Sequence, residues 1–243
     1  MASRSTVLIA DAHVMCGGTH ESEFRAMLEW LASTDFDLLF LGDIMDLWIA
    51  KEGYEDDLQR WFVDWCIREK ARRRIVYVEG NHEFFVEDRY DGVIGTVRKS
   101  RFQNESLVAE HGHNISITII GFNRLLIAFF KSRFSCLVLD VIPFGHKLVM
   151  FLKKCFGSNG RTFFSELPEN AMRTWAEKLS SETACKEIFI GHFHNFQEFV
   201  LSNGATLRIL PAWKNSQEVL ILDNEGKVSL RNWQNIAQTV VES

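Results

Sequence analysis

Short apolar runs alternate with amphipathic segments through the first half of the chain. Runs rich in β-branched and aromatic residues predict four strands, at Thr6–Ala10, Asp37–Leu41, Arg74–Val78 and Ser106–Glu110. Between the first two runs, apolar residues recur at helical spacing and predict an amphipathic helix with Phe24, Met27, Leu28 and Leu31 on its buried face. A second helix is predicted over 56–71, where acidic residues come first and basic residues last.

The second half of the chain has a different pattern. Lys186–Ile190 predicts another buried strand. Four short runs then follow in quick succession, at Phe196–Leu201, Thr206–Leu210, Glu218–Leu222 and Lys227–Leu230. Asn-Gly or Asn-Glu-Gly turns separate the members of each pair, so these runs predict antiparallel hairpins arranged as a meander. Strand–helix repeats followed by hairpins indicate an α/β (α+β) domain in which a mixed sheet packs on a second sheet.

Composition and charge narrow the class of protein. The chain has 243 residues, 47% of them hydrophobic, and a formal net charge of −5. No linker-like stretch or repeat interrupts it, which favours a single domain over 1–243. A negative net charge gives no reason to expect nucleic-acid binding. The five cysteines are scattered without a C-x-x-C pair, which argues against a disulfide framework or a thiolate zinc site.

The same features predict the compartment. An odd number of dispersed cysteines fits a reducing environment. The first strand runs directly into Asp11, without the pattern of a secretory signal. No run reaches the roughly 20 apolar residues that a membrane-spanning helix needs. We therefore expect a cytoplasmic protein.

Polar side chains that can bind metal ions follow each of five predicted strands. In chain order they are Asp11 and His13, Asp43 and Asp46, Asn81 with His82 and Glu83, His111 and His113, and His192 and His194. Strand ends on one edge of an α/β sheet are where such folds gather ligand-binding groups. Taken alone, a histidine is more often an ordinary polar residue than a metal ligand, and a Gly-Asp turn is ordinary loop structure. Five such groups in order predict one site.

The donor types predict a site for two metal ions. Oxygen and nitrogen donors without thiolate favour divalent ions such as Mn²⁺, Fe²⁺, Zn²⁺ or Co²⁺. A carboxylate shared by both ions is typical of two-metal hydrolytic sites. Asp43 is the natural shared ligand because a tight Gly-Asp turn directs its carboxylate out of the sheet.

These motifs, D-x-H, G-D-x-x-D, G-N-H-E, H-G-H and G-H-x-H, resemble those of the calcineurin-like metallophosphoesterase superfamily over residues 11 to 194. The resemblance implies a four-layer αββα sandwich with two divalent ions, Mn²⁺ by preference. It implies Asp11, His13, Asp43 and His194 as ligands of one ion, and Asp43, Asn81, His111 and His192 as ligands of the other. It also implies that Asn81 and His82 contact the phosphoryl group. Asp46 is expected to orient the ligands or, alternatively, to cap a helix.

Two further stretches resemble the UDP-2,3-diacylglucosamine hydrolases of lipid A synthesis. They are "GDIMDLWIA", which contains Trp48, and "LPAWKNSQEVLIL", which contains Trp213. The resemblance implies hydrolysis of a lipid-linked nucleotide to UMP and diacylglucosamine 1-phosphate, with Trp48 among the substrate-binding residues. His82, Glu83 and His113 stand where those enzymes carry Arg, Asp and Asp.

Those hydrolases also carry a helical insertion that holds the acyl chains, and this chain has a candidate for it at about 115–170. Residues 115–156 are dense in Ile, Leu, Val and Phe and carry six Lys or Arg against the single Asp140. Such a basic, apolar segment is typical of an acyl-chain groove or a membrane surface. The alternative is a pair of buried core helices with basic residues at the rim.

The insertion predicts further contacts. Arg124, Lys131 and Arg133 are candidate substrate-binding residues by position. We expect peripheral contact with the cytoplasmic face of the inner membrane. The sequence leaves the oligomeric state open. Three rival functions remain: a phosphoesterase acting on nucleotides, cyclic nucleotides or phosphoproteins, a non-catalytic scaffold on the same fold, and a plain membrane-binding module.

Overall fold

The computed structural model describes residues 4–117 and 169–241. The helices are α1 (Glu21–Ala32), α2 (Asp57–Glu69), α3 (Val86–Tyr90), α4 (His113–Ile117), α5 (Glu169–Thr183), α6 (Trp213–Ser216) and α7 (Trp233–Val241). The strands are β1 (Thr6–Ile9), β2 (Asp37–Leu41), β3 (Trp48–Ile49), β4 (Ile75–Val78), β5 (Glu83–Phe84), β6 (Thr96–Arg98), β7 (Arg101–Gln103), β8 (Leu107–Glu110), β9 (Glu187–Ile190), β10 (Gln197–Val200), β11 (Thr206–Ile209), β12 (Glu218–Leu222) and β13 (Val228–Asn232).

Most of these strands form two mixed sheets. The first sheet has six strands in the order β13-β12-β1-β2-β4-β6, in which β1, β2, β4 and β6 are parallel. The second has five strands in the order β10-β11-β9-β8-β7, in which β11, β9 and β8 are parallel. The carboxyl ends of the parallel strands are therefore the places where loops from both sheets can meet.

The sheets pack face to face because their strands are apolar on both faces. In β1, Leu8 belongs to a core shared with Phe189 of the second sheet, whereas Val7 and Ile9 belong to a core on the other face. Helices α1, α2 and α7 cover that outer face of the first sheet, and α5 covers the outer face of the second. The predicted four-layer αββα arrangement is confirmed.

The two helices predicted in the first half are also confirmed. The four apolar residues expected on the inner face of α1 are all buried. Helix α2 begins after Asp56, whose side chain accepts a hydrogen bond from the Gln59 N–H while the Gln59 side chain accepts one from the Asp56 N–H. This reciprocal capping satisfies two backbone donors and explains why the helix starts there.

The C-terminal hairpins are present, but the prediction that they form one meander is wrong. Strands β10 and β11 pair with each other and join the second sheet, where β11 is parallel to β9. Strands β12 and β13 pair with each other and join the first sheet, where β12 is antiparallel to β1. The turns and the alternation of residues determine each hairpin, but they carry no information about which sheet accepts it.

The predicted helical insertion at about 115–170 lies mostly outside the described residues, so it stays a prediction. Within 4–117 and 169–241, no helix is long and apolar enough to cross a membrane.

Substitutions that shorten a side chain should lower the free energy of unfolding most in the layer between the two sheets. Leu39 on β2 is buried in this layer. We expect Leu39→Ala to lower the free energy of unfolding by about 3 kcal/mol, because it leaves a cavity between two sheets that cannot both relax. Urea denaturation followed by circular dichroism measures the change.

The matched control is Val200→Ala on the edge strand β10, where the side chain is 69% exposed. That variant should change stability by no more than about 0.5 kcal/mol. Equal effects of the two substitutions would contradict the assignment of Leu39 to an inter-sheet core.

Candidate metal centre

The loops that follow β1, β2, β4, β8 and β9 meet at one edge of the sandwich. Backbone hydrogen bonds connect them within each sheet, with the Asp11 N–H donating to the Gly42 carbonyl at 3.1 Å and the Gly191 N–H to the His111 carbonyl at 3.1 Å. The His192 N–H donates to Asp11 Oδ2 at 2.8 Å and so joins the loops of the two sheets. The polar groups predicted at the strand exits therefore lie together.

The backbone at this edge is strained. The non-glycine residues with positive φ in the described chain include Asp11 (51°), His13 (43°), Asp43 (51°), His192 (69°) and His194 (64°). A left-handed conformation costs a non-glycine residue about 1 kcal/mol. Such strain persists where the surrounding structure enforces it, and it is concentrated at functional sites. Here it turns the side chains of five potential ligands toward one place.

Two glycines make the close approach of these loops possible. A Cβ atom on Gly80 would overlap Asp43 Oδ1, and one on Gly191 would lie 2.8 Å from Asp11 Oδ2. The loops after β4 and β9 therefore pass directly against the two carboxylates, so any larger residue at either position would displace them.

Asp11, His13 and His194 form the first group of potential metal ligands. His194 Nε2 lies 3.3 Å from Asp11 Oδ1, and His13 Nε2 lies 3.8 Å from the same oxygen. Asp11 Oδ1 and His13 Nε2 are both buried, and neither has a hydrogen-bond partner among the described residues. Buried polar atoms without partners are rare. Their convergence fits an ion held between these three side chains.

Asp43, His111 and His192 form the second group. His111 Nε2 lies 3.3 Å from Asp43 Oδ2 and 3.2 Å from Asn81 Oδ1. His111 Nδ1–H donates to the Leu41 carbonyl at 2.9 Å, which directs Nε2 into the site. Asn81 therefore lies beside this group, as predicted.

Asp43 lies between the two groups. Its Oδ2 is 3.3 Å from His111 Nε2 of the second group and 3.9 Å from His13 Nε2 of the first. This is the position that a carboxylate shared by two ions would need. The structure thus brings together all seven residues predicted as metal ligands, and their coordination of ions stays a prediction.

The charges of the site also fit divalent cations. Asp11 and Asp43 are 0% and 2% exposed, and within the described residues their ion-pair partners are histidines rather than Lys or Arg. Buried carboxylates are normally paired with a cation or bound to a metal. A donor set of carboxylate, imidazole and amide groups suits divalent ions such as Mn²⁺, Fe²⁺, Zn²⁺ or Co²⁺.

The histidines differ in protonation because their surroundings differ. Burial lowers the pKa of His13 to about 3, and burial together with the His111 charge lowers that of His192 to about 4. Both imidazoles are therefore neutral at pH 7, which is the form that binds metal ions. Burial also disfavours charge on His111, but the Asp43 and Asp11 carboxylates outweigh it and raise its pKa to about 9.

His82 is oriented by Asp46. The His82 Nδ1–H donates to the Asp46 carbonyl at 2.5 Å, which turns Nε2 toward Asp43 Oδ2 at 3.9 Å. Burial works against charge on His82, but the Asp43 carboxylate and the Asp46 carbonyl outweigh it, so its pKa is raised. The His82 side chain is 40% exposed and accessible to a ligand.

The side chain of Asp46 lies beside the first group of potential ligands, with Oδ1 at 4.0 Å from His13 Nδ1. No helix begins at Asp46, because the chain continues into β3. The alternative interpretation of Asp46 as a helix cap is therefore wrong.

Trp48 does not line the site. Its side chain is fully buried, its Nε1–H donates to Glu55 Oε1 at 2.9 Å, and its ring packs on Tyr77. The prediction that Trp48 binds substrate is corrected for this reason. Arg124, Lys131 and Arg133 lie outside the described residues, so their predicted contacts with substrate stay untested.

Glu83 has a structural role that its sequence neighbours do not predict. This side chain is fully buried, and its Oε1 accepts hydrogen bonds from the Ile44 N–H at 2.8 Å and from the Tyr77 hydroxyl. Its Oε2 accepts one from the Gly80 N–H at 2.8 Å. Burial raises the pKa of Glu83 to about 7. Glu83 therefore holds the loop of Asp43 against the loop of Asn81.

Replacing this carboxylate should loosen both loops. In Glu83→Gln, an amide NH₂ replaces one acceptor oxygen and leaves a buried donor without a partner. We expect a loss of about 2 kcal/mol in unfolding free energy and weaker binding of Mn²⁺. Thermal unfolding and calorimetric titration with Mn²⁺ measure the two effects.

The control is Glu87→Gln, because Glu87 accepts an exposed hydrogen bond from the Lys99 N–H. It should leave stability within about 0.5 kcal/mol and Mn²⁺ affinity unchanged. Wild-type Mn²⁺ binding and stability in Glu83→Gln would show that the loops keep their shape without the hydrogen bonds of the Glu83 carboxylate.

One comparison with known proteins, the match to a family model, agrees with this geometry. The sequence model of the family described as calcineurin-like phosphoesterase matches residues 5–219. A search of curated proteins gave no match.

Three of the solved structures to which the chain is similar match it over nearly its whole length. A predicted phosphoesterase from Streptococcus pneumoniae is 12% identical, with 95% of this chain and 99% of that chain covered and a TM-score of 0.40. Vacuolar protein sorting 29 from Cryptosporidium parvum is 13% identical, with 94% and 95% covered and a TM-score of 0.45. YfcE, a phosphoesterase from E. coli, is 13% identical, with 94% and 98% covered and a TM-score of 0.39.

The family match begins before β1 and includes every loop of the metal centre. The chain belongs to the calcineurin-like phosphoesterase family and is a metal-dependent phosphohydrolase.

Proposed function

We propose that this enzyme cleaves the diphosphate of UDP-2,3-diacylglucosamine to UMP and 2,3-diacylglucosamine 1-phosphate. The observation that carries the proposal is the place and composition of residues 115–156. This apolar, basic stretch continues directly from the loop that carries His111 and His113. A soluble nucleotide substrate would not require so much apolar chain beside a polar site.

The described residues that precede this stretch lie at the metal centre. Helix α4 begins at His113, which is buried with its ring 5.6 Å from that of His111. Helix α4 also contacts α5, where the described chain resumes at Glu169. The described chain therefore leaves the metal centre through α4 and resumes in a helix that contacts α4.

The charge of this stretch suits an anionic lipid. Residues 115–156 carry six Lys or Arg and one Asp, in a chain whose net charge is −5. Basic residues interleaved with large apolar ones bind anionic head groups while the apolar side chains contact acyl chains. For the same reason we propose peripheral contact with the cytoplasmic face of the inner membrane.

Two divalent ions, Mn²⁺ by preference, would be held by the two ligand groups that share Asp43. In such sites the ions supply charge neutralisation for the phosphoryl oxygens and a nucleophile at neutral pH. Asn81 lies beside the second group and presents its side-chain oxygen to it.

The role of His82 follows from its hydrogen bond to Asp46. That bond fixes the ring with Nε2 facing the site, where a protonated imidazolium would carry its charge next to the phosphoryl group. A fixed positive charge stabilises the negative charge that develops on phosphoryl oxygens. Diphosphate cleavage expels a phosphate monoester, a good leaving group, so His82 acts by its charge rather than as a proton donor.

A second candidate is a phosphodiesterase that acts on a nucleotide or a phosphoprotein. The general-family residue His82, in place of the arginine of the diacylglucosamine hydrolases, favours it. The basic, apolar stretch argues against it. The remaining rivals are weaker, because a scaffold or a membrane-binding module has no need of seven converging ligand residues.

The test is a product assay. Purified protein with Mn²⁺ and UDP-2,3-diacylglucosamine in detergent should release UMP and the lipid monophosphate, followed by ³¹P NMR. Asn81→Ala should lower the rate at least about 100-fold, because one ligand position and one phosphate contact are removed. Chelation of the metal should abolish turnover.

The control substrate is bis(p-nitrophenyl) phosphate, an aryl phosphodiester without lipid or uridine. Rapid turnover of the lipid substrate with slow turnover of the aryl diester is the expected result. Metal-dependent hydrolysis of the aryl diester with no release of UMP would contradict the lipid assignment and favour the second candidate.

A further inference from the structure

A third group of potential metal ligands lies beside the two that share Asp43. His13, Asp46 and His82 each offer one ligand atom, and the three atoms lie within 4.8 Å of one another. His13 Nδ1 is 4.0 Å from Asp46 Oδ1, and the ring centroids of His13 and His82 are 4.9 Å apart. We call these three residues the outer group. It shares His13 with the first group and adds two side chains that the other groups do not contain.

Backbone hydrogen bonds fix the position of the outer group. The Asp46 N–H donates to the Val14 carbonyl at 3.1 Å, which ties Asp46 to the loop of His13. The Trp48 N–H donates to the His82 carbonyl at 2.9 Å, and the His82 Nδ1–H donates to the Asp46 carbonyl at 2.5 Å. The folded backbone therefore brings the three side chains together.

The outer group is more accessible to solvent than the carboxylates of the other two groups. The side chains of His82 and Asp46 are 40% and 19% exposed, whereas those of Asp11 and Asp43 are 0% and 2% exposed. The shared His13 side chain is 9% exposed. Accessibility therefore orders the ligands from solvent inward, with the outer group first and Asp11 last.

The donor set of the outer group suits the same divalent ions as the buried groups. It consists of two imidazoles and one carboxylate, which bind ions such as Zn²⁺ and Co²⁺. Such ligands lie about 2.0–2.2 Å from the ion, so a contraction of the group by about 0.5 Å would bring all three onto one ion. Three protein ligands leave room for water on the ion, so it is held less completely than in a closed site.

The shared ligand His13 connects the outer group with the first group. Its Nδ1 faces Asp46 Oδ1, and its Nε2 faces Asp11 Oδ1 at 3.8 Å. A neutral imidazole has a lone pair for metal binding on only one ring nitrogen, so His13 serves one group at a time. The outer group and the first group are therefore alternative positions for one ion.

Asp43 lies within reach of both positions. Its Oδ2 is 3.9 Å from His13 Nε2 and 3.9 Å from His82 Nε2. An ion that leaves the outer group can therefore keep a carboxylate ligand on its way to the first group. A buried metal site needs such a path from solvent.

We propose that the outer group is the loading site for the ion of the first group. A divalent ion from solvent binds the outer group first and then moves past Asp43 to Asp11 and His194. This role concerns the assembly of the metal centre, so it does not depend on which phosphoester is the substrate.

The test is the rate at which Co²⁺ enters and leaves the metal-free protein. Stopped-flow absorption in the visible d–d bands follows uptake, and mixing with excess EDTA follows release. Asp46→Asn removes the side-chain carboxylate but keeps the backbone carbonyl that orients His82. One uptake phase and its release phase should each slow about tenfold, because a group on the path lowers the barrier in both directions. The Co²⁺ affinity should stay within about twofold of wild type, and the phase of the other ion should not change.

A second variant distinguishes a ligand on the path from simple attraction of cations. Loss of the Asp46 charge by itself weakens the attraction of a cation to the site. His82 carries no negative charge, and His82→Ala widens the opening, so neither effect would slow uptake in that variant. The loading site predicts that His82→Ala also slows uptake and release, each by about tenfold.

The matched control for Asp46→Asn is Asp35→Asn. Asp35 is 91% exposed and lies before the amino end of β2, whereas Asp43 follows the carboxyl end of that strand. The strand separates the two positions by about 17 Å, which is more than the screening length of about 8 Å at physiological salt. Both Co²⁺ rates should therefore equal those of the wild type.

Three results would overturn the proposal. The first is wild-type uptake in Asp46→Asn or His82→Ala. The second is faster release with unchanged uptake, because the side chain would then only stabilise the bound ion through His13. The third is equal slowing of both uptake phases or loss of Co²⁺ binding at equilibrium, because the group would then support the whole centre.

The failure of this proposal can be distinguished from the failure of the proposed function. The product assay uses enzyme that is fully loaded with metal, so absence of UMP release would leave the loading site in place. Unchanged Co²⁺ uptake in both variants would overturn the loading site and leave the lipid assignment in place.

Discussion

The structure depends on the burial of two carboxylates, Asp11 and Asp43, at the edge where the two sheets meet. Both are almost inaccessible to water, and within the described residues they face histidines rather than lysine or arginine. Leaving such charges unpaired costs several kcal/mol each. The two carboxylates are therefore suited to bind cations. Asp43 lies between the two ligand groups, so its charge has to be balanced by cations in both of them.

The rest of the fold enforces this arrangement. The apolar layer between the sheets fixes the distance between β1 and β9, and the bond from the His192 N–H to Asp11 Oδ2 crosses that layer at its edge. Glu83 connects the loop after β2 with the loop after β4, because its carboxylate accepts hydrogen bonds from the Ile44 and Gly80 N–H groups. The left-handed backbone at Asp11 and Asp43 persists because these contacts leave the loops no relaxed alternative.

The sequence predicted what depends on local pattern. Buried strands, the inner face of α1 and the polar groups at strand exits follow from the order of side chains along the chain. The choice of sheet for β10–β11 and β12–β13 did not, because it depends on which edges are free in three dimensions. The role of Trp48 was predicted wrongly because the sequence around an aromatic residue beside a motif looks the same in two cases. Its side chain can pack in the core or line a site. Glu83 has a role set by distant partners, which no local pattern reveals.

The two groups that share Asp43 are expected to hold two metal ions. Anomalous diffraction from crystals grown with Mn²⁺ tests this expectation. We predict two strong peaks, one among Asp11, His13 and His194, and the other among His111, His192 and Asn81, with Asp43 in contact with both. An empty site, or a single peak that leaves one group without an ion, would contradict it.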